Sequence, residues 1–281
     1  MATSPAWRAT SFRCCDSDWT VGGYDVTDDT LAAATAEARR LESRLNAFDP
    51  SSDVSALNTD GRVTSHVVAA VVRRAQEMHA RTAGAFDITQ GRLEHAVKGF
   101  LRGGARPSEG QLLVQATRVV VEGDAVRCDA PIDLNGIAKG WIVDRVHEAL
   151  TRAAGHDRVF VDGGGDLAHP LGPVVIDAPS GGAIATLRTT WNVATSGNAR
   201  RRRDDLDHLY DPRSGRVGAS QQQVTVLSRR DCCEADALAT TLCVLPPAEA
   251  TALASSWPGV EALFLRDGKL WWTRGFESHV G

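Results

Sequence analysis

The sequence predicts an α+β fold, because amphipathic helical stretches and short apolar strands mix along the chain without a strict βαβ order. Two stretches, 31–45 and 68–78, carry apolar residues at the 3.6-residue period of a helix. A hairpin is predicted over 119–127, where apolar runs flank Glu122-Gly123-Asp124. No internal repeat or low-complexity linker divides the 281 residues, so we predict a single domain over residues 1–281.

The N-terminal part is predicted to contain strands at 11–15 and 19–26, followed by the first of these helices. The polar cluster 27–30 caps that helix, which ends before Phe48-Asp49-Pro50. The segment SSDVSALN, residues 51–58, is predicted to be a polar loop, with a turn after it at Asp60-Gly61. Ser65 caps the second helix and Gly84 ends it.

The stretch IDLNGIAKGWIVD, residues 132–144, is predicted to be a buried strand end, a glycine turn and an amphipathic helix. Asp133 falls at the strand end, Gly136 in the turn and Lys139 in the first helical turn. Gly136 lets the backbone approach a ligand closely. Because a helix N-terminus has unpaired N–H groups and a positive dipole end, this corner suits an anion such as a phosphate. An ordinary strand-to-helix corner with a surface lysine explains the same residues.

The C-terminal half is predicted to consist of strands and two helices. A strand at 158–161 ends in VDGGGD, which lacks the GxGxxG spacing of a dinucleotide fingerprint. In the N-terminal half, the loop 99–107, rich in Gly and Arg, is predicted to be mobile. Further strands are predicted at 174–176, 183–187, 191–195 and 224–227, helices at 235–245 and 248–256, and a closing hairpin at 260–273.

Composition excludes several classes of protein. The hydrophobic content of 43% and charged content of 23% are those of a soluble globular chain, and the net charge of −4 gives no support for nucleic-acid or membrane-surface binding. No apolar signal core or membrane-spanning run is present, so we expect no membrane insertion and a cytoplasmic location. The six cysteines lack zinc-site spacing and are interpreted as reduced, mostly buried thiols.

Three polar features are candidates for chemistry. Asp236 and Thr240 lie four residues apart on one helix face, where their oxygens suit Mg²⁺, although an Asp that complements the helix dipole explains the same pattern. His208 lies in a polar loop and could act as a general base near neutral pH, or simply bond to backbone. The arginine run 200–203 precedes several aspartates, which favours a solvated hairpin tip over a phosphate or nucleic-acid patch.

Several motifs occur together and in a fixed order. They are AFDIT, IDLNGIAKGWIVD, VDGGGD, VATSG, HLYDPRSG and VTVLS…DALATTLCVL, with LNAFDPSSDVSALN near the start. In this order and spacing the chain closely resembles the FAD:protein FMN transferases, the ApbE-like flavin transferases. The resemblance runs from about Ser11 to Leu245.

The resemblance implies a two-lobed α+β domain with FAD in the cleft between the lobes. It implies that His208 is the catalytic base and that the metal ligands are the backbone oxygen of Gly136 and the side chains of Asp236 and Thr240. The cofactor-binding residues implied in the same way are Ala85, Phe86, Asp87, Asp133, Lys139, Thr195, Ser196, Gly197, Leu209, Tyr210 and Ala239.

The resemblance also implies a reaction and a partner. FMN would move from FAD to a threonine hydroxyl of an acceptor protein, with Mg²⁺ bound and AMP released. An FAD pyrophosphatase using water, or a non-catalytic FAD-binding protein, would retain the same site. Two positions depart from the family pattern. Arg8-Ala9-Thr10 stands where the family has Met-Gly-Thr, and Phe48, which cannot donate a hydrogen bond, stands nearest to the family's Tyr or Trp.

Overall fold

The structure, a computed structural model, describes residues 6–115, 117–198 and 202–281. Its helices are α1 (Asp28–Leu45), α2 (Asp53–Asp60), α3 (His66–Arg81), α4 (Gly91–Leu101), α5 (Ala138–Ala154), α6 (Cys232–Val244) and α7 (Pro247–Ser256). Its strands are β1 (Trp7–Cys14), β2 (Ser17–Tyr24), β3 (Arg62–Thr64), β4 (Val119–Glu122), β5 (Ala125–Cys128), β6 (Val159–Asp162), β7 (Asp166–Ala168), β8 (Val174–Asp177), β9 (Ala183–Leu187), β10 (Asn192–Gly197), β11 (Arg202–Arg203), β12 (Leu206–Asp207), β13 (Tyr210–Asp211), β14 (Arg216–Val217), β15 (Gln223–Ser228), β16 (Val260–Arg266) and β17 (Lys269–Trp272). Helices and antiparallel strands mix as the α+β prediction requires.

An eight-stranded sheet organises the fold, in the order β1-β2-β6-β7-β10-β15-β16-β17. Helix α6 packs on β10 and β15, and α5 packs between α1 and α6. These layers enclose the main hydrophobic core, which includes Trp19, Ile142, Leu238 and Phe264. The β3-β5-β4 sheet and the β8-β9 hairpin lie outside this sheet. The helix and sheet layers thereby bring α5, α6 and the β10 end to one place.

Two helical segments differ from the prediction. Residues 53–60 form α2 rather than a polar loop, because Ser52 Oγ accepts the Ser55 N–H at 2.9 Å and the buried Val54 and Leu57 anchor one face. The predicted loop 99–107 begins later, because α4 continues to Leu101. The capped helices were predicted correctly, with Thr27 as the N-cap of α1 and Ser65 as that of α3.

The central stretch also differs from its prediction at one end. No strand covers 129–137, so Asp133 lies in irregular backbone rather than at a strand end. Helix α5 begins at Ala138, which places Lys139 in its first turn as predicted. The N–H of Ala138 donates to Leu134 O at 2.8 Å and that of Gly140 to Asp236 Oδ2 at 2.9 Å. Fewer N–H groups therefore remain for a bound anion than the sequence predicts.

Helices α5 and α6 approach each other closely at Gly140. A Cβ atom at this position would lie 2.5 Å from Cys232 O and 2.7 Å from Asp236 Cβ. Both neighbours belong to α6, and the first is backbone that cannot rotate away. Gly140 is therefore required by packing, and its contact sets the position of Asp236 relative to α5.

We expect Gly140→Ala to destabilise the protein by about 1–3 kcal/mol, since forcing an extra methyl group into a packed interface shifts backbone. Urea denaturation followed by circular dichroism measures the effect. Gly99→Ala is the matched control, because Gly99 also lies in a helix but has no atom within 4 Å of an added Cβ. A Gly140→Ala variant as stable as Gly99→Ala would contradict this prediction.

In the described ranges we find no helix whose length and apolar character would allow it to cross a membrane.

Candidate functional site

A cleft of 1620 Å³ opens where the N-terminus of α5, the part of α6 that carries Asp236 and Thr240, and the end of β10 meet. One wall comes from the hairpin tip that joins β1 and β2, and another from α4 and the segment 85–88 that precedes it. His208, Leu209, Tyr210 and Pro212 also line this cleft. Segments far apart in the sequence therefore contribute to a single concave surface.

Nearly all of the predicted site residues line this cleft. They are Ala85, Phe86, Asp87, Asp133, Gly136, Lys139, Thr195, Ser196, Gly197, His208, Leu209, Tyr210, Asp236 and Thr240. Ala239 does not line it. Its side chain is fully buried in the main core.

A buried charge cluster lies at the base of the cleft. Lys139 Nζ is 3.0 Å from Asp166 Oδ2, and Asp236 accepts the Gly140 N–H. Burial and the nearby Asp166 carboxylate raise the pKa of Asp236 to about 8, and burial also raises the pKa of Asp166. Burial opposes the charge on Lys139, but the Asp166 and Asp236 carboxylates outweigh it and raise the pKa of this ammonium. One ammonium thus faces two carboxylates, and the raised pKa of Asp236 reflects burial together with this shortage of positive charge.

Oxygen donors surround this cluster. Ser196 Oγ lies 3.3 Å from Thr240 Oγ1, and a Cβ placed on Gly136 would be 3.2 Å from Thr240 Cγ2, so the Gly136 backbone lies beside Thr240. Asp166, whose Oδ2 pairs with the Lys139 ammonium, adds a buried carboxylate beside these hydroxyls. Carboxylate, hydroxyl and carbonyl oxygens are the ligands of hard divalent cations. The residues present therefore fit Mg²⁺, which would also supply the missing positive charge.

A second buried ion network lies in the wall of the cleft that includes α4. Lys98 Nζ lies 2.7 Å from Asp133 Oδ2 and also contacts Glu94, while Tyr210 Oη donates to Glu94 Oε1 at 3.0 Å. Burial opposes ionisation of Asp133, but the Lys98 ammonium and the His95 ring hold its pKa below its usual range. Burial and then the Asp133 carboxylate raise the pKa of Glu94 to about 7. The network holds α4, Asp133 and Tyr210 together.

The segment 85–88 is held by its own side chains. Asp87 Oδ1 accepts the Thr89 N–H at 2.8 Å, and its Oδ2 accepts from Gln90 Nε2 at 3.0 Å. Phe86 is buried, with its ring edge next to Gly136. This fixed turn presents the Asp87 region to the cleft.

His208 is placed in the cleft by a braced hairpin. Strands β11 and β12 form the predicted hairpin, although Arg200 and Arg201 lie outside the described residues. Arg203 Nη1 donates to Phe100 O at 2.7 Å, which ties the hairpin to α4. Asp207 accepts the N–H groups of Leu209 at 2.8 Å and Ala219 at 3.0 Å. The backbone on both sides of His208 is thereby fixed.

The two departures from the family pattern behave differently. Arg8 pairs with Asp28 at 2.8 Å on the exposed surface and does not line the cleft, so it does not replace the family's methionine. Phe48 does line the cleft, with the Arg102 guanidinium 4.0 Å above its ring centroid and the His95 ring 5.5 Å away. Phe48 therefore offers an aromatic face to the cleft in place of a hydrogen-bond donor.

Three residues of the site were not predicted from the sequence: Glu94, Lys98 and Asp166. Asp166 ends the VDGGGD motif, so the motif itself marked it. Glu94 and Lys98 are spaced i,i+4, which is a helix ion-pair signal, but their segment was not assigned as a helix. The contact of Lys98 with Asp133 joins positions 35 residues apart and has no local signal.

Comparison with known proteins agrees with the geometry. The sequence profile of the ApbE family matches residues 15–264. A FAD:protein FMN transferase of Vibrio cholerae is 30% identical over 213 residues, which cover 66% of this chain and 63% of that protein. A FAD:protein FMN transferase of Treponema pallidum is 32% identical over 162 residues, which cover 48% of this chain and 43% of that protein. The matched regions thus span less than two thirds of both curated relatives.

Solved structures share the fold across almost the whole chain. The flavin transferase ApbE from Vibrio cholerae superimposes with a TM-score of 0.82 at 21% identity, covering 98% of this chain and 100% of its own. The ApbE protein of Thermotoga maritima superimposes with a TM-score of 0.85 at 24% identity, covering 98% and 99%. The profile match over most of the chain, together with the shared fold, shows that this protein belongs to the ApbE family.

Proposed function

We propose that this protein is a Mg²⁺-dependent FAD:protein FMN transferase, which moves FMN from FAD to a threonine hydroxyl of an acceptor protein and releases AMP. One observation carries the proposal. A single cleft collects the polar residues Asp133, Lys139, His208, Asp236 and Thr240 from three separate stretches of the chain. The curated relatives named FAD:protein FMN transferase support the same reaction.

The charges of the cleft suit a dinucleotide diphosphate. Lys139 would compensate phosphate charge beside the glycine corner, where Gly136 has no side chain to hinder approach. Asp236, Thr240 and the Gly136 carbonyl would hold Mg²⁺, whose charge offsets the phosphates and stabilises the AMP leaving group. Phosphoryl-type transfer depends mainly on such positioning and electrostatic stabilisation.

His208 would remove the proton from the acceptor hydroxyl. The threonine oxygen then forms a bond to the FMN phosphorus, while the bond from that phosphorus to the AMP oxygen breaks. The products are an FMN phosphoester on the acceptor and AMP. A braced loop suits this role, because a general base must hold its position relative to the attacking oxygen.

Mass spectrometry of an acceptor protein incubated with this protein, FAD and Mg²⁺ tests the proposal, and we expect one added FMN per modified threonine. AMP release is measured in parallel, with and without acceptor. AMP formed equally without acceptor would instead establish FAD hydrolysis. FAD retained with no AMP in either sample would establish a binding protein. An acceptor that gains no FMN mass contradicts the proposal.

We expect the apparent affinity for Mg²⁺ to rise with pH up to about pH 8, at about tenfold per pH unit. The raised pKa of Asp236, about 8, means that a proton competes with the metal at lower pH. Isothermal titration calorimetry in two buffers of different ionisation enthalpy measures both the affinity and the proton release. Asp236→Asn should remove this pH dependence. An affinity that is constant between about pH 6 and pH 8 would rule out Asp236 as the titrating ligand.

A further inference from the structure

A cluster of two thiols and a carboxylate lies on the cleft wall, away from the Asp166 and Asp236 carboxylates. It consists of Cys14 and Cys15 at the β1–β2 turn and Glu42 of α1, and we call it the thiol cluster. Among the described residues it is the one group of three or more His, Cys, Asp or Glu side chains whose ligand atoms all lie within 4.8 Å of one another. The reaction proposed above does not use it.

The backbone brings the two thiols together. Neighbouring residues in a strand point to opposite faces, so adjacent cysteines are normally kept apart. Here Cys15 and Asp16 form a two-residue turn with φ values of 51° and 56°, a conformation that L-residues adopt at a cost. The Cys15 N–H donates to Glu42 Oε1 at 2.6 Å, which fixes the carboxylate beside the turn. Cys14 Sγ and Cys15 Sγ consequently lie 3.8 Å apart.

That separation matches a metal site. With Zn–S bonds of about 2.3 Å, two ligands of a tetrahedral zinc ion lie about 3.8 Å apart. Two thiolates and one carboxylate form a donor set that selects thiophilic cations over Mg²⁺. The hydrogen bond between the two thiols and burial raise the pKa of the Cys14 thiol, so a bound cation must displace the Cys14 proton.

We propose that the thiol cluster binds one thiophilic divalent cation of the zinc class, with Cys14, Cys15 and Glu42 as protein ligands. Cys15 and Glu42 line the cleft, so a fourth ligand position can open towards it. The hairpin that carries the thiol cluster also contacts the VDGGGD motif, residues 161–166. Ser17 Oγ of this hairpin lies within hydrogen-bond distance of both Cys14 O and Gly163 O, 3.1 Å from each. A bound cation would stiffen this wall of the cleft.

Cobalt titration of the full chain, reduced with a phosphine, tests this site without any flavin. We expect one Co²⁺ per chain with a thiolate-to-cobalt charge-transfer band, displaced by Zn²⁺ and unaffected by excess Mg²⁺. Loss of a residue that only supports a metal ligand lowers metal affinity by about 10- to 100-fold. Loss of a direct ligand should cost more, so Cys14→Ser and Cys15→Ser should each weaken binding by at least about 100-fold.

A variant at Glu42 tests the site without changing either cysteine, so a folding defect of the cysteine variants cannot explain its effect. Glu42→Gln should weaken binding by about tenfold, whereas Glu37→Gln, on the same helix but paired with Arg40, should leave it unchanged. Absence of the charge-transfer band in wild type overturns the proposal. So does a band that persists undiminished in both serine variants, because the cation would then lie elsewhere.

Discussion

His208→Ala should lower the rate of FMN transfer by about 10²- to 10⁴-fold, which is the contribution of a positioned general base. The affinity for FAD should change little, because in the proposed reaction the imidazole acts on the acceptor hydroxyl rather than on the dinucleotide. Thermal stability is measured alongside, because Asp207 accepts the N–H groups of Leu209 and Ala219 and thereby holds the backbone of this loop. A rate defect without a binding defect is therefore the specific expectation.

Single-turnover measurement of AMP release and acceptor mass gives the rate, and fluorescence titration gives the FAD affinity. His66→Ala is the matched control, because His66 is exposed at the start of α3 and does not line the cleft. Added imidazole should partly restore transfer by His208→Ala if the side chain removes a proton. A variant that retains more than about a tenth of the wild-type rate would exclude His208 as the base.

Lys98→Met should reduce the free energy of unfolding by about 3–5 kcal/mol, the cost of leaving a buried charge without its partner. Lys98 is 8% exposed and Asp133 2% exposed, so water cannot replace the lost ammonium. Glu94 loses the same ammonium partner. Tyr210 then donates its hydrogen bond to a Glu94 carboxyl group that has lost its ion pair with Lys98. We therefore also expect weaker FAD binding, because Asp133 and Tyr210 both line the cleft.

The pH dependence of this effect has a defined sign. In wild type the pKa of Asp133 lies below its unfolded value, so the pair stabilises the protein above about pH 4 and loses this contribution as the pH falls. The difference in the free energy of unfolding between wild type and Lys98→Met should therefore become smaller as the pH falls. Urea denaturation at several pH values measures it, with the exposed Lys269→Met as the control. If the free energies of unfolding of wild type and Lys98→Met differ by less than about 1 kcal/mol at neutral pH, the ion network around Lys98 is solvated.

A double variant separates the loss of charge balance from the loss of packing. Lys98→Met combined with Asp133→Asn removes both charges of the pair, so it should be more stable than Lys98→Met alone. Equal stability of the single and double variants would assign the loss to packing of the lysine stem.

Local signals determined much of the fold. Helices α1 and α3 were predicted from apolar residues at the helical period and from Thr27 and Ser65, whose side chains form the expected caps. Helix α2 was missed because only Val54 and Leu57 are buried in its eight residues, so its apolar face is too narrow to reveal a period. Its stability comes from the Ser52 cap and from burial against the rest of the fold.

The sequence by itself indicated most of the residues that the structure brings to one cleft, because short motifs keep chemical groups at fixed positions along the chain. It did not determine how those groups are paired. The contacts of Lys139 with Asp166, of Lys98 with Asp133 and of Gly140 with Asp236 join residues that are distant in the chain. Only the tertiary structure decides such pairs, because burial and the close approach of α5 and α6 set both the distances and the pKa values of the groups they bring together.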